Sequence, residues 1–182
     1  QRGGATRDAR AAVLRDATDL EGHADNAAAS LHGGVVAVAA GHVVRIPLGQ
    51  VPQVVVWIPD RETATASSRA LLPDQIPFDD AVFNIARTAL LVAALAAGDV
   101  DALRTATEDH LHQDRRLARV PDSRAAIDAA LRAGAWGAWL SGSGPSVAAF
   151  ADPDRAHHVA ATLPPSGRTH ILGIDDQGAT VA

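Results

Sequence analysis

The chain has 182 residues, a formal net charge of -5 and no cysteine or methionine. This acidic balance argues against a nucleic-acid partner, which would need a basic face. The lack of cysteine excludes disulfides and thiolate metal sites and fits the cytoplasm. The longest uninterrupted apolar run, Ala89–Ala97, is too short to cross a bilayer, so no membrane partner is expected.

The first fifty residues predict two helices and a hairpin. Apolar residues recur at helical spacing between positions 6 and 20, and Gly22 is a good helix stop. Asp25 or Asn26 could cap a second helix that reaches Leu31. Two strands, 34–39 and 42–46, flank Ala40-Gly41, which predicts a hairpin.

The rest of the chain alternates strands and helices. A continuous apolar strand at 54–58 is followed by a short helix at 65–72 and a long one at 77–97, whose apolar residues predict burial. Helices at 100–116 and 122–133 follow, the latter capped by Asp122 or Ser123. Two strands (138–140 and 146–150), a helix at 153–163 and a strand at 169–174 complete the order. The pattern predicts an α+β domain with helices on one face of a sheet.

Two polar segments are hard to explain by packing alone. The run Glu21-Gly22-His23-Ala24-Asp25-Asn26 offers an imidazole, a carboxylate and a carboxamide to a small polar molecule. The run Ser141-Gly142-Ser143-Gly144-Pro145-Ser146 forces a turn whose amides can approach a ligand closely. A helix cap and a plain β-turn are the alternative interpretations.

Five motifs in order resemble the homoserine-kinase branch of the GHMP kinases. They are the run 20–28 around His23-Ala24-Asp25-Asn26; Ile58-Pro59-Asp60 with Thr65-Ala66, Arg69 and Leu72-Pro73; Asp80-Ala81-Val82-Phe83-Asn84 with Arg87; Glu108-Asp109-His110-Leu111-His112-Gln113 with Arg116; and Ser141–Ser146. The resemblance implies ATP-dependent, Mg²⁺-assisted phosphorylation of the L-homoserine hydroxyl, a step in threonine biosynthesis.

The resemblance also implies a domain organisation. Residues 1–50 would be the end of a ribosomal-S5-like GHMP N-terminal domain, and residues 51–182 a ferredoxin-like GHMP C-terminal domain. The family's phosphate-binding loop would then lie upstream of residue 1. Because the chain contains no methionine, we expect it to be part of a longer protein or to have lost its start. The alternative is a non-catalytic remnant that binds an amino acid or a partner chain.

The substrate residues implied by the resemblance lie in several segments. His23, Asp25 and Asn26 would bind the amino acid. Anionic groups would be bound by Thr65, Arg69 and Arg116, since the planar guanidinium suits carboxylate and phosphate. A solvated helix face is the alternative for Arg69.

The remaining implied residues belong to the glycine-rich run and to the first helix. Gly142 and Gly144 would lie beside the substrate, and Ser141 and Ser143 beside the nucleotide. Asp19 is the best match to the family's Mg²⁺ ligand, with Glu21 as a second candidate; an exposed helix-end carboxylate is the alternative. No residue is assigned as a general base.

Two further expectations concern histidines and assembly. His110 and His112 are predicted to lie in a helix, where their spacing does not suit a metal, so neither is taken as a ligand. Residues 1–50 alone would leave an unpaired sheet edge. We therefore expect oligomerisation, exchange of elements or disorder in this region, and family members often form homodimers.

Overall fold

The computed structural model describes residues 2–60 and 71–180, and the side chains from residue 9 onward within that range. The chain divides into two compact units. The first unit comprises Gln1–Leu48 and Ile174–Ala182, and the second comprises Gly49–Gly173. The predicted domains, 1–50 and 51–182, remain a prediction.

The first unit contains two helices and a hairpin. Helices α1 (Arg2–Glu21) and α2 (Asp25–His32) precede strands β1 (Val35–Ala39) and β2 (His42–Ile46), which pair antiparallel. Ala40 and Gly41 have φ angles of 48° and 79°, as a two-residue type I′ turn requires. The predicted hairpin is therefore confirmed.

The C-terminal segment joins this first unit. The amide of Gly34 donates to the carbonyl of Asp175 at 2.7 Å, and the amide of Ala179 donates to Ser30 at 2.9 Å. A side chain at Gly33 would meet the Gly178 backbone at 2.6 Å. This close approach explains why glycine occupies position 33.

The second unit is built on a four-stranded antiparallel sheet. Its strands are β3 (Gln53–Pro59), β4 (Gly137–Leu140), β5 (Val147–Ala151) and β6 (Gly167–Leu172), in the spatial order β4-β5-β3-β6. The described helices are α3 (Phe78–Ala97), α4 (Leu103–Ala106), α5 (Gln113–Leu117), α6 (Pro121–Arg132) and α7 (Ala156–Ala161). Strands and helices alternate in the ferredoxin-like β-α-β-β-α-β manner, so the predicted α+β class is confirmed.

The core of the second unit lies between this sheet and the helices α6 and α7. Small residues such as Ala126, Ala130 and Val159 let these helices pack closely on the sheet. Trp57 in β3 is fully buried, and its Nε1–H donates to the carbonyl of Pro164 at 2.9 Å. The core therefore fixes the strand ends from which the site described below projects.

Helix α3 departs from the sequence prediction. It begins and ends close to the expected bounds, but only Ala94 and Leu95 are buried, and Phe78 is 81% exposed. The prediction of burial was wrong because apolar content does not show which elements pack on a helix. With a mean hydropathy of 1.5, α3 is the one helix among the described residues that is long and apolar enough to cross a membrane, a weak indication that core helices also give.

Two other local predictions were wrong. The single helix at 100–116 is two short helices separated by the segment 107–112, so His110 and His112 lie outside helices. Neither Asp122 nor Ser123 caps α6, which begins at Pro121 after Val120. Proline suits the first helical position because a backbone N–H there would have no acceptor within the helix, so its absence costs no hydrogen bond. The predicted helix at 65–72 falls mostly outside the described residues.

Candidate active site

A buried carboxylate organises the segment 107–112, here called the α5 turn. The side chain of Asp109 is 7% exposed. Its Oδ1 accepts hydrogen bonds from the backbone amides of Leu111, His112 and Gln113, at 3.0, 2.7 and 3.3 Å. These amides lie at the start of α5 and have no acceptor within the helix. By accepting their hydrogen bonds, the Asp109 carboxylate favours a helix that begins at this point.

Two polar side chains of α3, Asn84 and Arg87, hold the α5 turn from the other side. Asn84 accepts the amide of His110 at 2.9 Å and donates to Asp109 at 3.4 Å. Arg87 lies 4.1 Å above the Phe83 ring and donates to Glu108 at 2.9 and 3.0 Å. Asn84 and Arg87 belong to one of the five motifs, and the structure shows that they connect α3 to the turn.

The ring of His110 extends the same connection. It stacks on Phe83 with 3.7 Å between ring centroids, and its Nδ1 lies 3.1 Å from an Asp80 oxygen. Both contacts are to α3. His110 therefore stabilises the turn. The described residues contain no group of three or more His, Cys, Asp or Glu side chains placed to hold a metal.

Gln113 ties the α5 turn to the sheet. Its Nε2 donates to the carbonyl of Thr107 at 3.1 Å, and its Oε1 accepts the amide of Leu140 at 2.7 Å. Leu140 is the last residue of β4. One carboxamide thus holds the start of α5 against the strand that leads into the glycine-rich run.

The run 141–146, here called the glycine turn, connects β4 to β5. Gly142 and Gly144 have φ angles of 55° and 74°. A side chain at Gly144 would meet Leu140, whereas the space around Gly142 is open. Glycine is thus required at 144 for packing and at 142 for the backbone angle. Because the space around Gly142 is open, a ligand can approach its backbone.

The glycine turn is anchored by α6. The buried hydroxyl of Ser123 donates to the carbonyl of Pro145 at 2.6 Å. This contact was not visible in the sequence because Ser123 fits a helix-cap pattern equally well. The turn is also closed by backbone bonds from Ser141 to Ser146 and from Gly144 to Ser141.

Arg116 of α5 reaches the glycine turn. One guanidinium nitrogen donates to the carbonyl of Gly142 at 3.2 Å and lies 3.1 Å from Nδ1 of His112. The structure therefore brings together two residues that the sequence predicted as substrate contacts 26 positions apart. A role in substrate binding remains a prediction for both.

The ring of His112 is half-buried between two charges. Burial lowers its pKa below 6.5, Asp109 raises the pKa, and Arg116 lowers it again. The net direction is downward, so the neutral ring is favoured. Since the Arg116 guanidinium can only donate, Nδ1 of His112 accepts, and the proton of the neutral ring resides on Nε2.

A neighbouring cleft of about 450 Å³ lies among α4, α5 and α6. Both arginines of its lining are occupied by internal contacts: Arg124 donates to Asp114 at 2.5 Å and Arg104 to the Leu131 carbonyl at 2.6 Å. Arg116 and Gly142 are not among its lining residues. These pairings do not favour the cleft as the binding site for an anionic substrate.

In the first unit, three predicted residues lie at the α1–α2 junction. Nδ1 of His23 is 3.2 Å from Oδ1 of Asp25, but this nitrogen is buried without a well-aligned hydrogen bond to any described residue. Oδ1 of Asp25 accepts the amide of Asn26 at 2.9 Å. Ala24 is the N-cap of α2 and no side chain caps it, so the helix-cap interpretation of Asp25 and Asn26 was wrong.

The other predicted residues differ in how far the structure describes them. Asp19 and Glu21 are exposed near the end of α1. An exposed carboxylate there suits a cation such as Mg²⁺, which takes one or two protein carboxylates and completes its shell with phosphate oxygens and water. Ser141 is exposed and Ser143 half-buried. Thr65 and Arg69 lie outside the described residues.

Part of the second unit matches a known family. Residues 91–167 match the family model for the C-terminal domain of GHMP kinases. The chain is 41% identical over 173 residues to a homoserine kinase of Thermus thermophilus, and 40% identical over 183 residues to that of Streptomyces coelicolor. These matches cover 92% and 98% of the chain but 59% of each relative.

Solved structures give the same relationship. The crystal structure of the Cytophaga hutchinsonii homoserine kinase matches 86% of the chain and 53% of its own length, with a TM-score of 0.81 at 29% identity. The L. major mevalonate kinase shares the fold with a TM-score of 0.58 at 20% identity. The chain spans about six tenths of its curated relatives; it is a homologue of homoserine kinases and contains a match to the GHMP kinase C-terminal domain.

Proposed function

We propose that the protein containing this chain is a homoserine kinase, which transfers a phosphoryl group from ATP to the side-chain hydroxyl of L-homoserine in the cytoplasm as a step of threonine biosynthesis. The observation that carries this proposal is the identity of about 40% to homoserine kinases over more than nine tenths of the chain. The similarity to kinases also supports ATP as the phosphoryl donor.

Arg116 would bind the carboxylate of homoserine. Its guanidinium is held beside the glycine turn, where the open space at Gly142 leaves room for a ligand. Arginine donates several hydrogen bonds in one plane, which matches a carboxylate better than an ammonium does. Thr65 and Arg69 are proposed for the same anionic side of the substrate.

The α1–α2 junction would bind the amino group of homoserine. Asp25 offers a carboxylate, Asn26 a carboxamide, and His23 a ring nitrogen that lacks an aligned partner among the described residues. An ammonium group needs acceptors of this kind.

Phosphoryl transfer depends chiefly on positioning and on neutralising charge. In this proposal Gly142 and Gly144 present backbone to the substrate, and Ser141 and Ser143 lie towards the phosphates. Asp19 would hold Mg²⁺, which when bound neutralises charge on the phosphate oxygens. No side chain is proposed as a general base.

The test is phosphorylation by the native gene product that contains this chain. Each reaction contains ATP, Mg²⁺ and one alcohol: L-homoserine, L-serine, L-threonine or mevalonate. The phosphate esters formed are identified by ³¹P NMR. We expect O-phospho-L-homoserine as the main product. Phosphorylation of another alcohol in place of homoserine would contradict the proposal. Calorimetry that detects homoserine but not an ATP analogue would favour a non-catalytic amino-acid-binding protein.

A further inference from the structure

We propose that His112 is a positioning residue that holds the Arg116 guanidinium against the glycine turn and thereby sets the affinity for the carboxylate of the substrate. The inference rests on the proposed function, since it takes Arg116 as the carboxylate ligand. It assigns a role to a side chain that the sequence analysis did not include in the site.

His112 and Arg116 contact each other at the start of α5. His112 is the N-cap residue of α5, four positions before Arg116, and its Nδ1 lies 3.1 Å from a guanidinium nitrogen of that arginine. That same nitrogen reaches the Gly142 carbonyl at 3.2 Å. The ring therefore fixes the direction from which the arginine reaches the turn.

Asp109 supports the His112 ring. The amide of His112 is held by Asp109 at 2.7 Å, and Nε2 lies 3.7 Å from the other oxygen of the same carboxylate. A carboxylate near Nε2–H favours the tautomer whose Nδ1 is free to accept. Asp109 in turn is fixed by Asn84 of α3, so a chain of polar contacts runs from α3 to Arg116.

This arrangement depends on protonation. Among the described residues, the charged groups that face the ring are Asp109 from the α5 turn and Arg116 from α5 itself, and the glycine turn presents the Gly142 carbonyl to that arginine. A protonated His112 would donate from both nitrogens and repel the guanidinium. Acidification should therefore release Arg116 from its position and weaken carboxylate binding.

The experiment compares His112→Leu and His112→Asn in the native gene product, with steady-state kinetics for homoserine. His112→Leu removes the acceptor, and we expect KM to rise about tenfold while kcat stays within about twofold, the equivalent of one hydrogen bond to a charged group. His112→Asn keeps an acceptor near the Nδ1 position and should recover most of the affinity. His157→Asn, an exposed histidine of α7, is the matched control.

The pH profile separates positioning from a merely structural role. In the wild type, KM for homoserine should rise as pH falls below 6.5, the range in which the lowered pKa of His112 places its protonation. In His112→Asn this rise should be absent. A rise of equal size in both proteins, or a fall in kcat at constant KM in His112→Leu, would overturn the proposal.

A spectroscopic arm keeps this inference distinct from the proposed function. If the wild type does not phosphorylate homoserine, the proposed function fails, and ¹⁵N NMR of the His112 ring then tests the pair by itself. We expect an unprotonated Nδ1 at neutral pH and a higher pKa in Arg116→Ala. A protonated Nδ1, or a ring that is insensitive to Arg116→Ala, would contradict the positioning role.

Discussion

In the second unit, the side chains around Arg116 are fixed by backbone groups, whereas in the first unit His23 and Asp25 chiefly contact each other and their immediate neighbours. Asp109 accepts three amides and Gln113 bridges two elements. At the α1–α2 junction, Asp25 accepts one neighbouring amide, and a ring nitrogen of His23 lacks an aligned bond within the described part of the chain. The difference teaches that the predicted residues of the second unit are preorganised by its fold, while those of the first unit present hydrogen-bonding capacity to a ligand.

The largest expected effect is a loss of stability at a buried residue of the second unit, compared with an exposed residue of the first unit. Trp57→Ala removes a fully buried indole and its bond to Pro164, and we expect the free energy of unfolding to fall by about 3–5 kcal/mol. Val44→Ala in β2, where the side chain is 62% exposed, should change it by less than about 0.5 kcal/mol. Urea denaturation measures both, and equal losses would contradict the greater burial of the second unit's sheet.

A smaller effect is expected at the bridge between α5 and β4. Gln113→Ala leaves the Leu140 amide and the Thr107 carbonyl without their partner, which should cost about 1–3 kcal/mol. Gln177→Ala in the C-terminal segment is the control, because that side chain is exposed. Thermal unfolding followed by circular dichroism compares the two, and a stable Gln113→Ala variant would show that the bridge does not hold the turn.

The smallest effect is expected in the first unit, at the ion pair between Arg45 and Asp176. The two groups are 2.9 Å apart, but about half or more of each side chain is exposed, so water and salt screen their attraction. Arg45→Ala should lower the free energy of unfolding by less than about 1 kcal/mol. Hydrogen exchange of the β1 and β2 amides tests this, and complete loss of protection would mean that the pair is essential to the hairpin.

Much of the fold could be predicted because periodicity and turn residues act locally. The turn at Ala40-Gly41 needs two positive φ angles, and the strand at β3 is a continuous apolar run, so both were visible in the sequence. The helix predicted at 100–116 failed for a different reason. Asp109 bonds to the amides of the residues that follow it, which favours a turn over a continuous helix.

The candidate site could be predicted only in part. The resemblance selected Arg116 and Gly142, and the structure places them in contact. It did not indicate the supporting contacts, such as the Ser123 hydroxyl on Pro145 or the His112 ring on Arg116. These contacts depend on long-range packing, and a serine near a helix start or a histidine in a polar motif has several local interpretations.

The most direct test of the central claim is the kinetic effect of Arg116→Ala beside that of its neighbour, Arg115→Ala, in the native gene product with L-homoserine. Arg115 is exposed and serves as a control of equal charge on the same helix. The account predicts that Arg116→Ala raises KM for homoserine by about tenfold to a hundredfold while Arg115→Ala stays close to the wild type. Equal KM values in the two variants would contradict it.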